Sequence, residues 1–406
     1  MEIGDTWNES ESYRDELTGR LVRRLTSRGR INQTPTYHTN SGFTANGSSL
    51  AFASVREGRT WIIRADVESG DLTALWKTEG IGDRNYIHRG MSLDFADVDG
   101  RGICGNRVCM APRSQVAVFS VGRQMLAVDV RTSQARVILD DCGDEWIFGA
   151  PCVSPDEQYV AVALSSSHPE MRGGEWTLNP QKAYGEYAHS LRIVRIPLAG
   201  CGKMEVLYEH QTPAQSAHCA FCPTDGNLLY FDLDLPPRYW SGGDGQTPRI
   251  WLLDVEARNI RPLKEEYPGP FQIHQAWLWD GSALCYHGHV PTGGGYFGIA
   301  DIRGNVVWEE VFSEALTYGH NTPDARRNAL IIDGMFSRDK LQWLYWDRGS
   351  GEAPALEPIC IHGTEWGSIP GQYSHPHPLT DADGKWVSFT SARGGRSDIF
   401  VADISQ

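Results

Sequence analysis

One unit recurs seven times along the 406 residues, and that recurrence limits the fold more than any other feature of the chain. Each copy has a turn built on Asp-Gly or its equivalent, a short apolar strand, a variable stretch, and a further strand that usually ends in Asp. The apolar strands are Leu50-Ala51-Phe52, Val116-Ala117-Val118-Phe119, Tyr159-Val160-Ala161-Val162, Leu228-Leu229-Tyr230-Phe231, Leu284-Cys285-Tyr286, Ala329-Leu330-Ile331-Ile332 and Trp386-Val387-Ser388-Phe389. They follow one another at roughly 44 to 68 residues, the blade length of a propeller with loop insertions. A chain this long would ordinarily suggest two or three domains. The repeat overrules that prior and predicts one all-β domain over residues 1–406, a seven-bladed β-propeller with almost no helix.

The seventh copy ends almost at the C-terminus, so its blade lacks an outer strand. Residues 19–26, Gly-Arg-Leu-Val-Arg-Arg-Leu-Thr, alternate apolar and polar side chains as such a strand should. This N-terminal strand is expected to close the last blade and remove an exposed sheet edge. The two largest insertions, roughly 78–110 and 165–190, are expected to be loops on one face.

Histidines mark the start of successive blades. His218, His274, His320 and His375 each stand just before the first strand of blades four to seven. Equivalent positions in a propeller face the central channel from one end, so four imidazoles should converge on one funnel. In Gln372-Tyr373-Ser374-His375-Pro376-His377-Pro378, two histidines two apart on an extended backbone aim at one point. The flanking prolines stiffen them. A metal reading takes His320, His375, His377 and Gln372 as ligands. Neutral imidazoles with an amide suit a borderline divalent ion such as manganese, and ligand type alone leaves zinc, iron and nickel open. His274 and His218 remain for acid–base work or substrate contact. Arg249 begins the outer part of the fourth blade, either as a solvated strand-end arginine or as a reach into the funnel.

Other classes are disfavoured. A net charge of −14 with no basic run argues against nucleic acid as a partner. An acidic substrate needs local arginines or a metal to offset that field. No run of about 18 apolar residues suggests a membrane span. Residues 1–20 lack the basic start and apolar core of a secretory signal, so a cytoplasmic location is the expectation. The nine cysteines are scattered, and although Cys104 and Cys109 are close enough in sequence to pair, buried thiols are the expectation. Cys219-Ala-Phe-Cys222 lies in a strand with no second pair, which argues against a zinc site.

Several segments together resemble the cytosolic oligogalacturonate lyases. They are Ser12-Tyr13-Arg14-Asp15-Glu16-Leu17-Thr18-Gly19 with Val22-Arg23-Arg24-Leu25-Thr26, then Glu145-Trp146-Ile147-Phe148-Gly149, then His274-Gln275-Ala276-Trp277, and the Gln-x-x-His-Pro-His-Pro string. The resemblance implies a seven-bladed enzyme that binds Mn2+ in its funnel and cleaves short 4-linked galacturonides by β-elimination. It implies His320, Gln372, His375 and His377 as metal ligands, His274 as the base, and Arg249 at the reacting carboxylate. His218, His88, Arg89 and Tyr373 are the candidate substrate contacts. Residues 86–94 and the insertion after them depart from the family pattern, which leaves the sugar open. A non-catalytic propeller that binds a glycan or protein, a lyase for another uronate, and a hydrolase or epimerase using the same funnel are the competing readings. The oligomeric state is not legible.

Overall fold

In the computed structural model the described residues are 1–33, 41–78, 108–143, 145–166, 190–200, 202–210, 214, 216, 218–233, 248–269, 272–291, 293–312, 319–334, 339–348, 355–369 and 371–405. They form seven antiparallel blades, in accord with the repeat. The fourth blade shows the pattern: Cys219–Cys222, Asp225–Asp232, Ile250–Asp254 and Asn259–Pro262 pair in sequence order. Among the described residues the helical element is the short 3-10 turn Gly371–Ser374, and no helix is long and apolar enough to cross a membrane.

Second strands are nearly continuous in apolar character because each blade is covered on both faces by its neighbours. Tyr159–Ser166 is buried at seven of its eight positions. The outer strand Val306–Phe312 has no fully buried residue. The core is therefore a ring of layers between blades. Ala51, Ile62 and Leu75 of the first blade meet Phe119, Leu126 and Val128 of the second. Ala329, Ile331 and Trp343 of the sixth meet Val387, Phe389 and Phe400 of the seventh. The Asp-Gly turns let blades approach closely. At Gly281 φ is +72°, and a Cβ there would collide with Thr224 and Cys222 of the fourth blade.

Leu21–Arg24 closes the last blade as expected, antiparallel to Arg396–Asp403 with Val22 opposite Ala402. The closure goes further than the repeat suggested. Glu11–Arg14 adds a fifth strand to the seventh blade, and Thr6–Asn8 pairs with Asp71–Lys77 on the outer edge of the first. The N-terminal segment thus straps the two ends of the ring together. The seven described cysteines are all buried free thiols, and Cys104 lies outside the described residues. Most of the insertions at 78–110 and 165–190 also lies outside them.

Candidate metal centre and its neighbours

The funnel is built on a device used twice. In the fourth blade, Asp232 ends the second strand and accepts from both the backbone N–H (2.9 Å) and Nδ1 (3.0 Å) of His218. In the sixth, Asp333 accepts from the backbone N–H (2.7 Å) and Nδ1 (2.8 Å) of His320. Each carboxylate is fully buried and fixes its imidazole with the hydrogen on Nδ1. The other nitrogen, Nε2, then presents its lone pair. Burial alone would raise the Asp333 carboxyl, but the charge and hydrogen bonds of His320 outweigh it and hold the group below its ordinary range. Asp232 is likewise held below its ordinary range, against its burial, by the Arg249 guanidinium and His218.

The seventh blade reaches the same point differently. His375 and His377 flank Pro376, whose carbonyl accepts from the Thr390 N–H at 2.8 Å. His377 takes a left-handed φ of +46° and donates its backbone N–H to Asp333 at 3.3 Å. Its Nε2 lies 3.1 Å from the Nε2 of His320. Ligand atoms of His320, His375 and His377 all fall within 4.8 Å of one another.

This donor set fits a divalent ion. Two imidazole nitrogens bound side by side to one ion at about 2.0–2.1 Å sit about 3 Å apart. His375 also keeps a buried Nδ1 with no hydrogen-bond partner, an arrangement that costs free energy unless something fills it. Burial and the neighbouring His320 push His375 down to about 3, so it is a neutral donor at neutral pH. Gln372 lies in the 3-10 turn, but its side chain is outside what is described.

The fifth blade supplies His274. A β-bulge between Ile273 and Ala276 turns it out of the ladder, with φ of +54°. Its ring centroid lies 4.3 Å from that of His320. Its Nδ1 stands 2.9 Å from the carbonyl oxygen of Gly319. The carbonyl only accepts, and with the hydrogen on Nδ1 directed at it the lone pair of His274 stands at Nε2. Arg249 is not a solvated strand-end arginine. Its guanidinium donates to Asp232 (2.6 Å), the Gln272 carbonyl (3.1 Å) and the Gln275 side chain (3.2 Å). Contacts therefore run unbroken from His218 through Asp232, Arg249 and the Gln275–His274 bulge to His320, His377 and His375.

One of the expected substrate contacts falls elsewhere. Tyr373 is 2% exposed and packs with Ile31, Val55, Ile369 and Ala392, because the 3-10 turn rotates its ring into a small apolar cluster. That is a packing position, not a substrate contact. His88 and Arg89 lie outside the described residues. The sequence reading missed Asp232, Asp333, His287 and His362, although the recurrence of Asp 13 or 14 positions after a blade-leading histidine was a readable signal.

No family model matches the chain. The oligogalacturonate lyase of Dickeya dadantii is 23% identical over 411 residues, covering 97% of this chain and 95% of that protein. The oligogalacturonide lyase of Pectobacterium atrosepticum is 23% identical over 412 residues, with the same coverage. A solved oligogalacturonate lyase in complex with manganese superposes with a TM-score of 0.75 at 20% identity, covering 100% of this chain and 99% of its own. The chain resembles oligogalacturonate lyases from end to end. At 20% identity the superposition establishes the propeller fold that these lyases share with this chain.

Beneath the cradle, His362 donates from Nε2 to the Asp333 carbonyl (3.0 Å) and accepts the Thr364 N–H at Nδ1 (3.1 Å). Burial pushes it from its ordinary 6.5 down to about 4. The unfolded chain binds that proton throughout the window from 6.5 to 4, while the folded chain refuses it. Stability is therefore complete above pH 6.5 and is lost as pH falls toward 4, by on the order of 3 kcal/mol from this group alone. Thermal melts of metal-free protein should fall steeply across that window. His362→Asn, whose amide oxygen can still accept from Thr364, should flatten the fall by about one proton.

Proposed function

We propose that the chain is a divalent-metal-dependent lyase that cleaves short 4-linked oligogalacturonides by β-elimination, as a cytoplasmic enzyme with residues 1–406 forming one propeller. The observation that carries the reading is the ring contact between His320, a member of the three-histidine cradle, and His274, whose Nδ1 faces the Gly319 carbonyl. A base is thereby set beside an ion site. A manganese ion held by His320, His375 and His377, with Gln372 as a further donor, would draw charge from the carboxylate of the reacting uronate.

The proton at C5 of that sugar is barely acidic while the carboxylate keeps its full charge. Arg249, held by Asp232, Gln272 and Gln275, supplies a fixed positive charge that stabilises the carboxylate as it gains enediolate character. His274 takes the proton at Nε2. The electron pair released at C5 forms the C4–C5 double bond, the C4–O bond breaks, and the departing oxygen takes a proton. No water is added. His218, oriented by Asp232, lies on the same wall for contact with the acidic oligosaccharide. The cradle, the bulged histidine and the held arginine together favour this reading over a propeller that only binds glycan or protein.

The test is direct. Manganese-loaded protein with oligogalacturonides should produce absorbance near ~235 nm, and the product masses should sum to the substrate without added water. His274→Ala should lower turnover by about 10²–10⁴ while metal content stays unchanged. Absence of unsaturated product from metal-loaded wild type would remove the assignment.

A further inference from the structure

His287 lies outside every role assigned above. It is 1% exposed, and its Nε2 stands 2.6 Å from His274 Nδ1. Its position in the repeat is informative. Asp232 and Asp333 each return a backbone bond to the histidine that leads their blade, His218 and His320. His287 holds the corresponding place in the fifth blade, in register with Ile273 at the start of the bulge. Where two blades put a carboxylate under the leading imidazole, this one puts a second imidazole.

We propose that His287 is the positioning residue for His274. In this arrangement His274 carries its hydrogen on Nδ1, and His287, which also hydrogen-bonds the Gly319 carbonyl, presents a lone pair to it at Nε2 and carries its own hydrogen on Nδ1. The His274 N–H is then shared between two acceptors that approach from different blades, Gly319 and His287. That pair of acceptors fixes both the tautomer and the ring plane of a side chain held on a bulge, where the ladder itself gives no support. A carboxylate in this place would set a full negative charge beside the base. An imidazole supplies the lone pair and no charge.

The inference rests on His274 as the base, and the experiment separates the two. His287→Leu removes the acceptor, while His287→Gln returns one at similar reach through its amide oxygen. In metal-loaded protein, His287→Leu should lower kcat by about 100-fold with KM and bound metal unchanged, and His287→Gln should recover most of the loss. In the full chain without added metal, ¹⁵N spectra assigned with His274→Ala should show His274 Nδ1 protonated in wild type and His287→Gln, and mixed tautomers in His287→Leu. A wild-type His274 Nδ1 without its hydrogen overturns the proposal even if the leucine variant does not fold. So does an unchanged kcat in His287→Leu while His274→Ala is inactive. Full activity in His274→Ala would instead remove the base reading itself.

Discussion

Replacing His375 by alanine should strip the protein of its divalent ion and lower turnover by about three powers of ten, the scale of losing several kcal/mol of transition-state charge stabilisation. The cradle has no carboxylate of its own among His320, His375 and His377, so its affinity rests on neutral donors, three imidazoles with Gln372 proposed beside them. Losing one of them leaves His320, whose Nδ1 is held by Asp333, and His377, whose backbone N–H donates to the same carboxylate. Such a pair binds a borderline ion weakly. This site also gives a clean separation of metal binding from folding. His375 Nδ1 has no hydrogen-bond partner to lose, and the ring's contacts are with Trp366 at 5.1 Å, His320 at 5.3 Å and His377 at 5.6 Å, each worth about 1 kcal/mol or less. Metal-free wild type and variant should therefore melt close together. Added manganese at about a hundred times its dissociation constant should raise wild-type stability by about 2.7 kcal/mol and leave the variant where it was. Elemental analysis after gel filtration measures the first outcome, and paired melts measure the second. A His375→Ala protein that keeps both its metal and its rate would show that the three histidines are not the ion site.

Much of this site was legible in the sequence because propeller repeats carry position. The Asp-Gly turns and apolar second strands gave the blade count, and the leading histidines could then be assigned to one end of the channel. The alternating Leu21–Arg24 also announced itself as the missing outer strand. The parts that stayed hidden depend on register. Asp232 and Asp333 meet their histidines only once the first and second strands of a blade are aligned. The bulge at His274 reads in sequence as uninterrupted strand, so neither its left-handed backbone nor its contact with His287 was visible. Tyr373 was misplaced for a similar reason: it is two residues from His375, yet a 3-10 turn points its ring into the core. Thr6–Asn8 and Glu11–Arg14 were missed because three and four mostly exposed polar residues carry no period.

Those two short strands have a consequence for stability that exceeds their size. Between them lies Glu9, whose carboxylate meets the Arg56 guanidinium at 2.6 Å with side chains only 4% and 7% exposed. Arg56 also donates to Ser54 (2.7 Å) and Asn32 (3.1 Å), and its guanidinium lies 5.5 Å from the Trp7 ring. Burial pushes the Arg56 pKa down, and the Glu9 charge works against that. Glu9→Ala would leave a buried guanidinium without its counter-charge, which costs about 3–5 kcal/mol. Against a total of about 5–15 kcal/mol that is a large fraction, and it falls at the seam where the first and last blades are joined. Denaturant unfolding should show a marked drop in midpoint. Glu68→Ala, which breaks the exposed Lys385–Glu68 pair at 2.9 Å, should cost less than about 1 kcal/mol and serves as the control. The double change Glu9→Leu with Arg56→Met should recover most of the loss, because the penalty comes from the stranded charge and not from the missing attraction. If Glu9→Ala and Glu68→Ala unfold at the same midpoint, the strap does not hold the ring closed. The closure would then rest on Leu21–Arg24, whose alternation is plain in the sequence, and on Ile31–Gln33, which pairs with the last strand at Ser397.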